Sequence, residues 1–429
     1  MAQLSTQPYK GTRDFYPADM RFRRAMFGKM REIVERYGFE EIDAPIIEPV
    51  DLYLAKTSEE IVNQQIYSFT DRGERKVAIR PEMTPTVSRM VAGKFHETAK
   101  PIRWYSIPNV WRYEQPGKGR LREHWQLNCD IFGAGDERLA DLELLHLAID
   151  LLRGYGAQAG QFKVYISERR LLNAVFATQL KLPEAAWPAV ARAMDKRAKI
   201  KPEAYGELLR EAGVSAEQEK MLADFLDLKS DYLKKFPNLP GATDLLELLA
   251  HFEKVGLTDF IEYNPAIVRG FDYYTGLVFE VYDLHPENRR SLFGGGRYNN
   301  LVGAFGKESL NAVGFGMGDV TLEDFLRTHK LLEAPARSIK LFIAIMDSAL
   351  VDHALELAAK LRAAGIAVEM SLSTAKLGKQ FQEAEKKGIP EVLILGEDEA
   401  RTQVYSVKNL QKGEQQKLSL ENLISFLQT

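Results

Sequence analysis

The stretch Trp125–Phe132, WQLNCDIF, is strand-like, and turn residues rather than a regular crossover helix separate it from similar runs. Such runs occur at Lys76–Arg80, Arg103–Tyr113, Thr275–Tyr282 and Ala312–Gly316. Strands that follow one another without helical crossovers favour antiparallel pairing. The sequence therefore predicts an α+β fold with a mixed or largely antiparallel sheet flanked by helices.

An amphipathic helix is predicted upstream of these strands. Between Met20 and Tyr37 apolar residues recur every three or four positions, and Gly38 ends the pattern. The following segment Ile42–Ile47 is strand-like, but Pro45 cannot donate a hydrogen bond to a sheet ladder. We expect this segment at a sheet edge or where the sheet meets another subunit, which suggests a dimer.

The residue pattern changes twice along the rest of the chain. Residues about 170–255 are rich in Ala, Leu, Glu and Lys at helical spacing, which predicts a helical insertion. After residue 337 strands and helices alternate, which indicates a separate α/β domain. The expected segments are 1–169 and 256–332 for the sheet, 170–255 for the insertion and 338–429 for the α/β domain.

Composition and charge narrow the class of protein. Of the 429 residues, 45% are hydrophobic and 27% charged, so sizeable cores are expected in two or three domains. No segment approaches the ~20 apolar residues of a membrane span, and residues 1–8 carry no targeting pattern. A single cysteine, Cys129, and a net charge of -3 predict a cytoplasmic protein without an internal disulfide, with room for local basic patches.

A first group of polar residues begins at the end of the strand-like run Arg103–Tyr113. Arg112 and Glu114 are expected on one strand face, where a guanidinium can bind a phosphate through two planar donors. The next segment, QPGKGRLR at residues 115–122, places three cations among glycines, so backbone and side chains can both approach a polyanion. A solvated ion pair and a solvated basic turn are the simpler interpretations.

A second group follows residue 268. Arg269–Gly276, RGFDYYTG, combines a cation, glycines and phenolic hydroxyls that together suit a small polar ligand, although aromatic packing is the alternative. Gly294–Tyr298, GGGRY, lacks the spacing of dinucleotide or Walker loops. Its three glycines are interpreted as the start of a strand and as the floor of a site, where a ligand can lie flat against the backbone. Gly314–Gly318, GFGMG, leaves one strand face bare, unless a helix packs there. Together the two groups predict a nucleotide site beside a small polar-ligand site.

These motifs resemble those of the histidyl-tRNA synthetases, a family built on the class II antiparallel catalytic sheet. Lys10–Asp14 resembles the family's opening, Met20–Pro45 its first class motif, Trp111–Gly133 its second and Arg269–Gly276 its histidine-specific signature. The terminal α/β domain resembles the family's anticodon-binding module. The resemblance implies a homodimer that activates histidine with ATP, accompanied by Mg²⁺, and transfers it to tRNA(His).

The resemblance also implies residue roles. Arg112 would hold the α-phosphate and Arg269 the charge of the transition state, which makes these two the catalytic residues. The ATP-binding residues implied are Arg112, Glu114, Arg120 and His124. The histidine-binding residues implied are Glu82, Thr84, Gln126, Asp130, Arg269, Tyr273, Tyr274 and Tyr298. The residues implied at the tRNA acceptor end are Gln115, Lys118 and Arg122.

Several positions depart from the family's common pattern, among them Gly117 in the second class motif, where a reader of the acceptor end often stands. Asp130 replaces a more usual Glu, and Asn299 stands where Asp is common. Gly316–Thr321 lacks the arginine that the third class motif usually places near Thr321, so adenine must be held differently, with His124 on one side. A non-catalytic synthetase-like regulator and another class II synthetase, such as the prolyl or threonyl enzyme, are the alternatives. The C-terminal module argues against the first, and Arg269–Gly276 against the second.

Overall fold

The computed structural model describes residues 4–54, 65–268, 274–288, 290–373 and 375–428. The chain folds into two compact units, Met1–Ala334 and Pro335–Thr429. The first unit contains the predicted sheet and the Ala- and Leu-rich helices, and the second contains the alternating strands and helices. None of the described helices combines the length and apolarity that crossing a bilayer requires.

The elements of the first unit follow the predicted strand-rich pattern. Its helices are α1 (Pro17–Arg36), α2 (Val50–Leu54), α3 (Thr84–Gly93), α4 (Glu137–Arg153), α5 (Arg169–Ala174), α6 (Trp187–Lys196), α7 (Pro202–Glu211), α8 (Ala216–Leu228), α9 (Ser230–Lys235), α10 (Ala242–Lys254) and α11 (Asp319–Thr328). Its strands are β1 (Glu40–Glu41), β2 (Ile47–Pro49), β3 (Tyr67–Thr70), β4 (Lys76–Ile79), β5 (Ile102–Ser106), β6 (Asn109–Trp111), β7 (Glu123–Phe132), β8 (Phe162–Glu168), β9 (Ile261–Tyr263), β10 (Leu277–Asp283), β11 (Ser291–Arg297) and β12 (Ala312–Gly318).

The central sheet confirms the predicted mixed, largely antiparallel pairing. Within the described residues its order is β1-β5-β7-β12-β11-β10-β8-β9, with β6 pairing the start of β7. Only the outer pairs β1–β5 and β8–β9 are parallel, while the interior pairs are antiparallel. A smaller antiparallel sheet has the order β2-β4-β3.

Helix α1 confirms the periodicity seen in the sequence. Its buried residues include Met26, Met30, Ile33 and Val34, which recur at three- and four-residue spacing. Gly38 follows the helix with φ of 73°, a left-handed conformation that costs glycine little and stops the helix. The buried stripe of α1 packs in one core cluster with α4 and the central sheet.

Two predicted strands are corrected. The segment 42–47 is not one strand, because only Ile47 belongs to β2, and the backbone N–H of Ile42 instead donates to the carbonyl of Tyr105 at 2.8 Å. The run 103–113 is divided into β5 and β6, because Pro108 interrupts the ladder and residues 107–108 lie in neither strand. Strand β6 therefore ends at Trp111, two residues earlier than predicted.

Strand β7 determines which side chains face the core. Because strand side chains alternate, Leu127, Cys129 and Ile131 lie on one face, and all three are buried in the cluster shared with α1 and α4. The even-numbered residues of β7 lie on the opposite face. This face carries the polar side chains singled out in the sequence.

Between β8 and β9 the chain forms α5–α10. Their buried residues, among them Leu222, Phe225, Leu245 and Phe252, belong to the same core cluster as the sheet. The helices are thus anchored to the first unit by a shared apolar core, which supports the sheet from one end.

The second unit is an α/β domain. Its helices are α12 (Val351–Ala363), α13 (Leu377–Lys386), α14 (Glu397–Thr402) and α15 (Leu420–Gln428). Its strands are β13 (Leu341–Ile345), β14 (Val368–Met370), β15 (Glu391–Leu395), β16 (Val404–Asn409) and β17 (Gln415–Ser419). The sheet order is β14-β13-β15-β16-β17, parallel at β13–β14 and β13–β15 and antiparallel beyond. The sequence pattern did not reveal α14 or β17, which are short and mostly exposed.

Candidate active site

The floor of the candidate site is a patch of β11 and β12 that lacks side chains. One row across the sheet runs Asp130, Gly314, Gly296, and the next runs Asn128, Gly316, Gly294. Both rows lie on the non-core face of the sheet, because they contain the even-numbered residues of β7. The three glycines 294–296 lie inside β11 rather than at its entrance, which corrects the position expected from the sequence.

Side chains from neighbouring segments need the space that these glycines leave. A Cβ atom would collide with a side chain at three places: Gly314 with Oδ1 of Asp130, Gly316 with the amide of Gln126, and Gly296 with the ring of Tyr274. All three side chains were predicted to bind the same small ligand. The bare strand face therefore lets these side chains lie flat beside one another, and the register brings them together from β7 and from the segment before β10.

Asp130 is a deeply buried carboxylate of this cluster. Its side chain accepts a hydrogen bond from the hydroxyl of Tyr298, and the two residues are 3% and 2% exposed. Burial raises the pKa of Asp130 to about 7, although the hydrogen bond from Tyr298 opposes this shift. A buried carboxylate near its titration point has a strong electrostatic reason to pair with a ligand that offers an N–H donor.

Arg112 lies where β6 meets a second segment of the site. Its Nε donates to the carbonyl of Pro81 at 2.9 Å, and the backbone N–H of Trp111 donates to the carbonyl of Arg80 at 3.0 Å. These contacts place Arg112 next to the segment RPEMT, residues 80–84, which carries Glu82 and Thr84, both half-buried. Helix α3 begins at Thr84, so the helix fixes the end of this segment.

A slot lies between His124 and Thr321. A Cβ atom on Gly318 would be 3.9 Å from Cδ2 of His124 and 3.9 Å from Oγ1 of Thr321, so Gly318 forms the base of the slot. Burial, followed by the cations Arg112 and Arg13, lowers the pKa of His124 to about 3. The imidazole is therefore neutral at physiological pH, and a neutral ring can stack against a flat ligand.

Arg112 and Glu114 do not share a strand face, which corrects the sequence prediction. Strand β6 ends at Trp111, so the alternation of side chains does not continue to Glu114. The partner of Glu114 is Arg120, with Nε 2.6 Å from Oε2. The Glu114 side chain is 10% exposed and that of Arg120 is 52% exposed, so this ion pair spans the loop from interior to surface.

Arg122 is buried, in contrast to its predicted place at a polyanion surface. Its Nε donates to the carbonyl of Glu114 at 3.1 Å, and its Nη1 donates to the hydroxyl of Tyr9 at 2.8 Å. The guanidinium also lies 4.0 Å from the ring centroid of Tyr113. These contacts hold the guanidinium inside the fold, at 8% exposure, so Arg122 supports the loop that carries the exposed residues Gln115 and Lys118.

An ion pair that no local sequence pattern indicates supports the slot. Asp319, at the start of α11, accepts a hydrogen bond from Nη2 of Arg13 at 2.7 Å and another from the backbone N–H of Trp125 at 3.0 Å. Burial raises the pKa of Asp319, and Arg13 opposes that shift. Because Arg13 and Asp319 are 306 positions apart, no local pattern signalled the pair.

The sheet places one further carboxylate beside the floor. Glu280 of β10 pairs with Gly294 in the register, is 9% exposed and accepts a hydrogen bond from the hydroxyl of Tyr282 at 2.6 Å. The alternation of apolar and polar residues along β10 could have indicated which strand face Glu280 occupies. It could not have indicated the distance of Glu280 from the other polar groups. Asn299 anchors the same region, because its side-chain oxygen accepts the backbone N–H of Ala312 at 3.1 Å.

Two predicted site residues, Arg269 and Tyr273, lie outside the described residues, and their roles stay predictions. Within the described parts of the chain, no group of three or more His, Cys, Asp or Glu side chains is arranged to hold a metal ion.

Comparisons with known proteins agree with this geometry. The family model for histidyl-tRNA synthetase matches residues 11–321, and a model for an anticodon-binding domain matches residues 340–429. A relative from Leptospira biflexa, named histidine–tRNA ligase, is 47% identical over 411 residues, which cover 95% of this chain and 94% of the relative. A protein of the same name from Haloarcula marismortui is 38% identical over 416 residues, covering 95% and 94%.

A solved structure is similar over its full length. The crystal structure of histidyl-tRNA synthetase from Nostoc sp. matches with a TM-score of 0.83 at 26% identity, covering 99% of both chains. The similarity therefore includes the catalytic sheet, the helices between β8 and β9 and the α/β domain. With a family model across most of its length and relatives of this identity and coverage, the chain belongs to the histidyl-tRNA synthetase family.

Proposed function

We propose that this protein activates histidine with ATP and transfers the histidyl group to tRNA(His). The observation that supports this most strongly is the convergence of Asp130, Gln126 and Tyr274 over the glycine floor of β11 and β12. The other end of the same β7 face carries His124, beside Arg112. An amino-acid pocket and a nucleotide slot therefore share one strand face.

The length of β7 suits a ligand pair of this kind. Strand residues advance about 3.3 Å each, so Asp130 and His124 lie roughly 20 Å apart along the strand. Gln126 lies between them on the same face. We place the imidazole of histidine at Asp130, its α-amino and carboxylate groups near Gln126 and the RPEMT segment, and the adenine at His124.

The first reaction step requires charge stabilisation more than proton transfer. A carboxylate oxygen of histidine attacks the α-phosphorus of ATP, the bond to the β-phosphate oxygen breaks, and pyrophosphate leaves. Arg112 would hold the α-phosphate, because Pro81 fixes its Nε and the guanidinium stays charged throughout. Class II aminoacyl-tRNA synthetases use Mg²⁺, which we expect to arrive with ATP and neutralise phosphate charge. Arg120 is the residue we assign to the outer phosphates.

Selection of histidine would depend on the buried polar pair. Asp130 can accept the N–H of the imidazole, and the hydroxyl of Tyr298 keeps its carboxylate in place. An apolar side chain of similar size would leave this carboxylate buried without its partner, which costs far more than a missing methylene. Discrimination at the binding step is therefore strong.

In the second step a terminal hydroxyl of tRNA attacks the carbonyl carbon of histidyl-adenylate, and AMP leaves. The exposed loop residues Gln115 and Lys118 lie where an acceptor end can reach them, and we assign that contact to them rather than to the buried Arg122. We assign the anticodon to the α/β domain at residues 340–429, on its match to an anticodon-binding model.

ATP–pyrophosphate exchange with purified protein tests the activation step. We expect exchange that depends on histidine and on no other amino acid, and histidyl-tRNA formation when tRNA(His) is added. A regulatory protein without catalysis would bind ligands but show no exchange, and another synthetase would respond to a different amino acid. Either result would contradict the proposed function.

We also propose a homodimer, formed in part by the small sheet β2-β4-β3. Ile47 of β2 and Tyr67 of β3 pair with the same residue of β4, and Phe69 lies two residues after Tyr67, so Ile47 and Phe69 lie on the same face of this sheet. Their side chains are 45% and 47% exposed. Ile46 beside them is 42% exposed, so three large apolar residues that follow the first class motif in the chain face solvent in the single chain.

Ile47→Glu combined with Phe69→Glu is expected to shift the protein from dimer to monomer, because each charge would be buried without a partner at the interface. Light scattering coupled to size exclusion measures the mass. Leu139→Glu, at a residue of α4 that is 65% exposed, is the matched control and should stay dimeric. A double variant that remains dimeric would exclude this surface as the interface.

A further inference from the structure

The pocket behind Thr321 is lined by Arg290, an arginine outside the recognised sequence motifs. This pocket has a volume of about 190 Å³. Its lining residues are Lys118, Gly119, Glu287, Asn288, Arg290, Leu292, Thr321 and Asp324. Thr321 also forms one side of the slot above Gly318, so the pocket and the slot are adjacent at Thr321, on the side opposite His124.

Arg290 reaches that wall through the lower part of its side chain. A Cβ atom on Gly119 would lie 3.3 Å from Cδ of Arg290 and 3.5 Å from Cγ2 of Thr321, so the two side chains meet at the same glycine. Gly119 has φ of 70°, a conformation that favours glycine, which keeps this position without a side chain. The loop of residues 115–122 and the start of β11 therefore close the pocket together.

The surroundings of Arg290 in this pocket include two carboxylates and a second cation. Among the residues that the structure describes, Arg290 has no ion-pair partner, although Glu287 and Asp324 line the same pocket. Lys118 nearby is held by the carbonyl of Glu287, with Nζ 3.1 Å from the oxygen. Arg290 thus packs its aliphatic part on the wall and keeps its guanidinium available to a ligand.

Thr321 leaves room for this guanidinium. Its hydroxyl donates to the carbonyl of Leu292 at 2.7 Å, so the hydroxyl points to β11 and only the methyl group faces Arg290. A long cationic side chain at position 321 would occupy the space that Arg290 takes. The slot accordingly has the neutral imidazole of His124 on one wall and Thr321 on the other, and Arg290, the residue before β11, lines the pocket that shares Thr321.

We propose that Arg290 covers the face of the adenine that lies opposite His124, so that the base is held between an imidazole and a guanidinium. A planar guanidinium stacks on aromatic faces, and adenine offers such a face. This inference rests on the proposed function, because it assumes that the slot above Gly318 binds ATP.

The test compares Arg290→Ala with the wild type in histidine-dependent exchange and in direct binding of AMP by calorimetry. We expect the KM for ATP to rise about 10-fold, which corresponds to about 1.4 kcal/mol of base stacking, with the KM for histidine unchanged. AMP binding should weaken by a similar factor, because the contact is to the base and not to the outer phosphates. The KM for ATP and the affinity for AMP of Arg290→Lys should lie between the values of Arg290→Ala and the wild type.

A second substitution separates stacking from an indirect effect on the fold. Arg290→Ala combined with Thr321→Arg should recover most of the affinity for AMP, because a guanidinium then reaches the same space from the other wall. Thr321→Arg alone should weaken AMP binding, since the two arginines collide. Arg192→Ala, at an exposed residue of α6, removes the same charge elsewhere and should leave both KM values unchanged.

The outcomes distinguish this inference from the proposed function. Wild-type protein without histidine-dependent exchange would overturn the proposed function. An active wild type with an unchanged KM for ATP in Arg290→Ala would overturn only the role of Arg290. Loss of ATP affinity with unchanged AMP binding would place the guanidinium at the phosphates and would equally overturn stacking on the base.

Discussion

Arg112→Ala is expected to lower kcat/KM for histidine-dependent ATP–pyrophosphate exchange about 10³-fold, the loss typical of removing one preorganised donor from a developing charge. The physical reason is that Pro81 binds Nε, so the guanidinium is oriented before substrate arrives. Alanine removes both the charge and its orientation. Arg112→Lys should recover little activity, because an ammonium group lacks the planar pair of donors.

The control for Arg112 is Arg103→Ala. Arg103 is a half-buried arginine of β5 whose nearest carboxylate is Glu143 at 3.8 Å, and it lies outside the proposed site. Exchange rates within about twofold of the wild type are expected for it. If Arg112→Ala folds as the wild type does and keeps its activity, the assignment of the α-phosphate to Arg112 is wrong. Binding of histidine alone should be unaffected by Arg112→Ala, which separates the nucleotide from the amino acid.

The strands could be predicted because alternation and turn residues are local properties of the sequence. Trp125–Phe132 was predicted as a strand, and it forms most of β7, whose two faces separate the core from the site. The glycine-rich segment 314–318 was interpreted as a bare strand face, and the structure shows what needs that space: side chains of Asp130 and Gln126. The sequence could not reveal these neighbours, since cross-strand contacts depend on register.

The roles of charged residues were harder to predict, because the identity of a charged residue does not reveal whether it is buried or which groups it contacts. Arg122 was grouped with Lys118 and Arg120 as a cation for polyanions, yet Tyr9 and Tyr113 enclose its guanidinium. Conversely, Arg290 drew no attention in the sequence, because it lies outside every recognised motif. Only the fold brings it to Gly119. Roles that depend on distant partners can be assigned only from the folded structure.

Asp130→Asn is expected to have two large and opposite effects. It should raise the KM for histidine about 100-fold or more, because the amide cannot supply a charged acceptor to the imidazole N–H. It should also stabilise the protein without substrate at pH 8, because the wild-type carboxylate is buried and ionised there. A buried carboxylate that serves binding at the expense of stability is expected to show both effects when it is replaced: weaker histidine binding and a more stable unliganded protein.

The pH dependence follows from the raised pKa of Asp130. In the folded protein this pKa is about 7, against about 4 in an unfolded chain, so the native state holds its proton more tightly. The wild type therefore loses stability as pH rises from about 4 to about 7, by at most about 4 kcal/mol, and then levels off. Asparagine does not titrate, so the variant escapes this loss.

Thermal unfolding at pH 5 and pH 8 measures the effect. The Tm of Asp130→Asn minus that of the wild type should be larger at pH 8 than at pH 5. Burial also raises the pKa of Asp141 to about 7, but Asp141 is present in both proteins and cancels in the difference. Tyr298→Phe is the matched variant: without the hydroxyl the carboxylate loses a donor, so its pKa should rise further and histidine should bind more weakly. The Tm difference between Asp130→Asn and the wild type could instead be the same at both pH values. The pKa of Asp130 would then not be raised by burial in the folded protein. In that case Asp130 could not be the buried carboxylate that selects histidine.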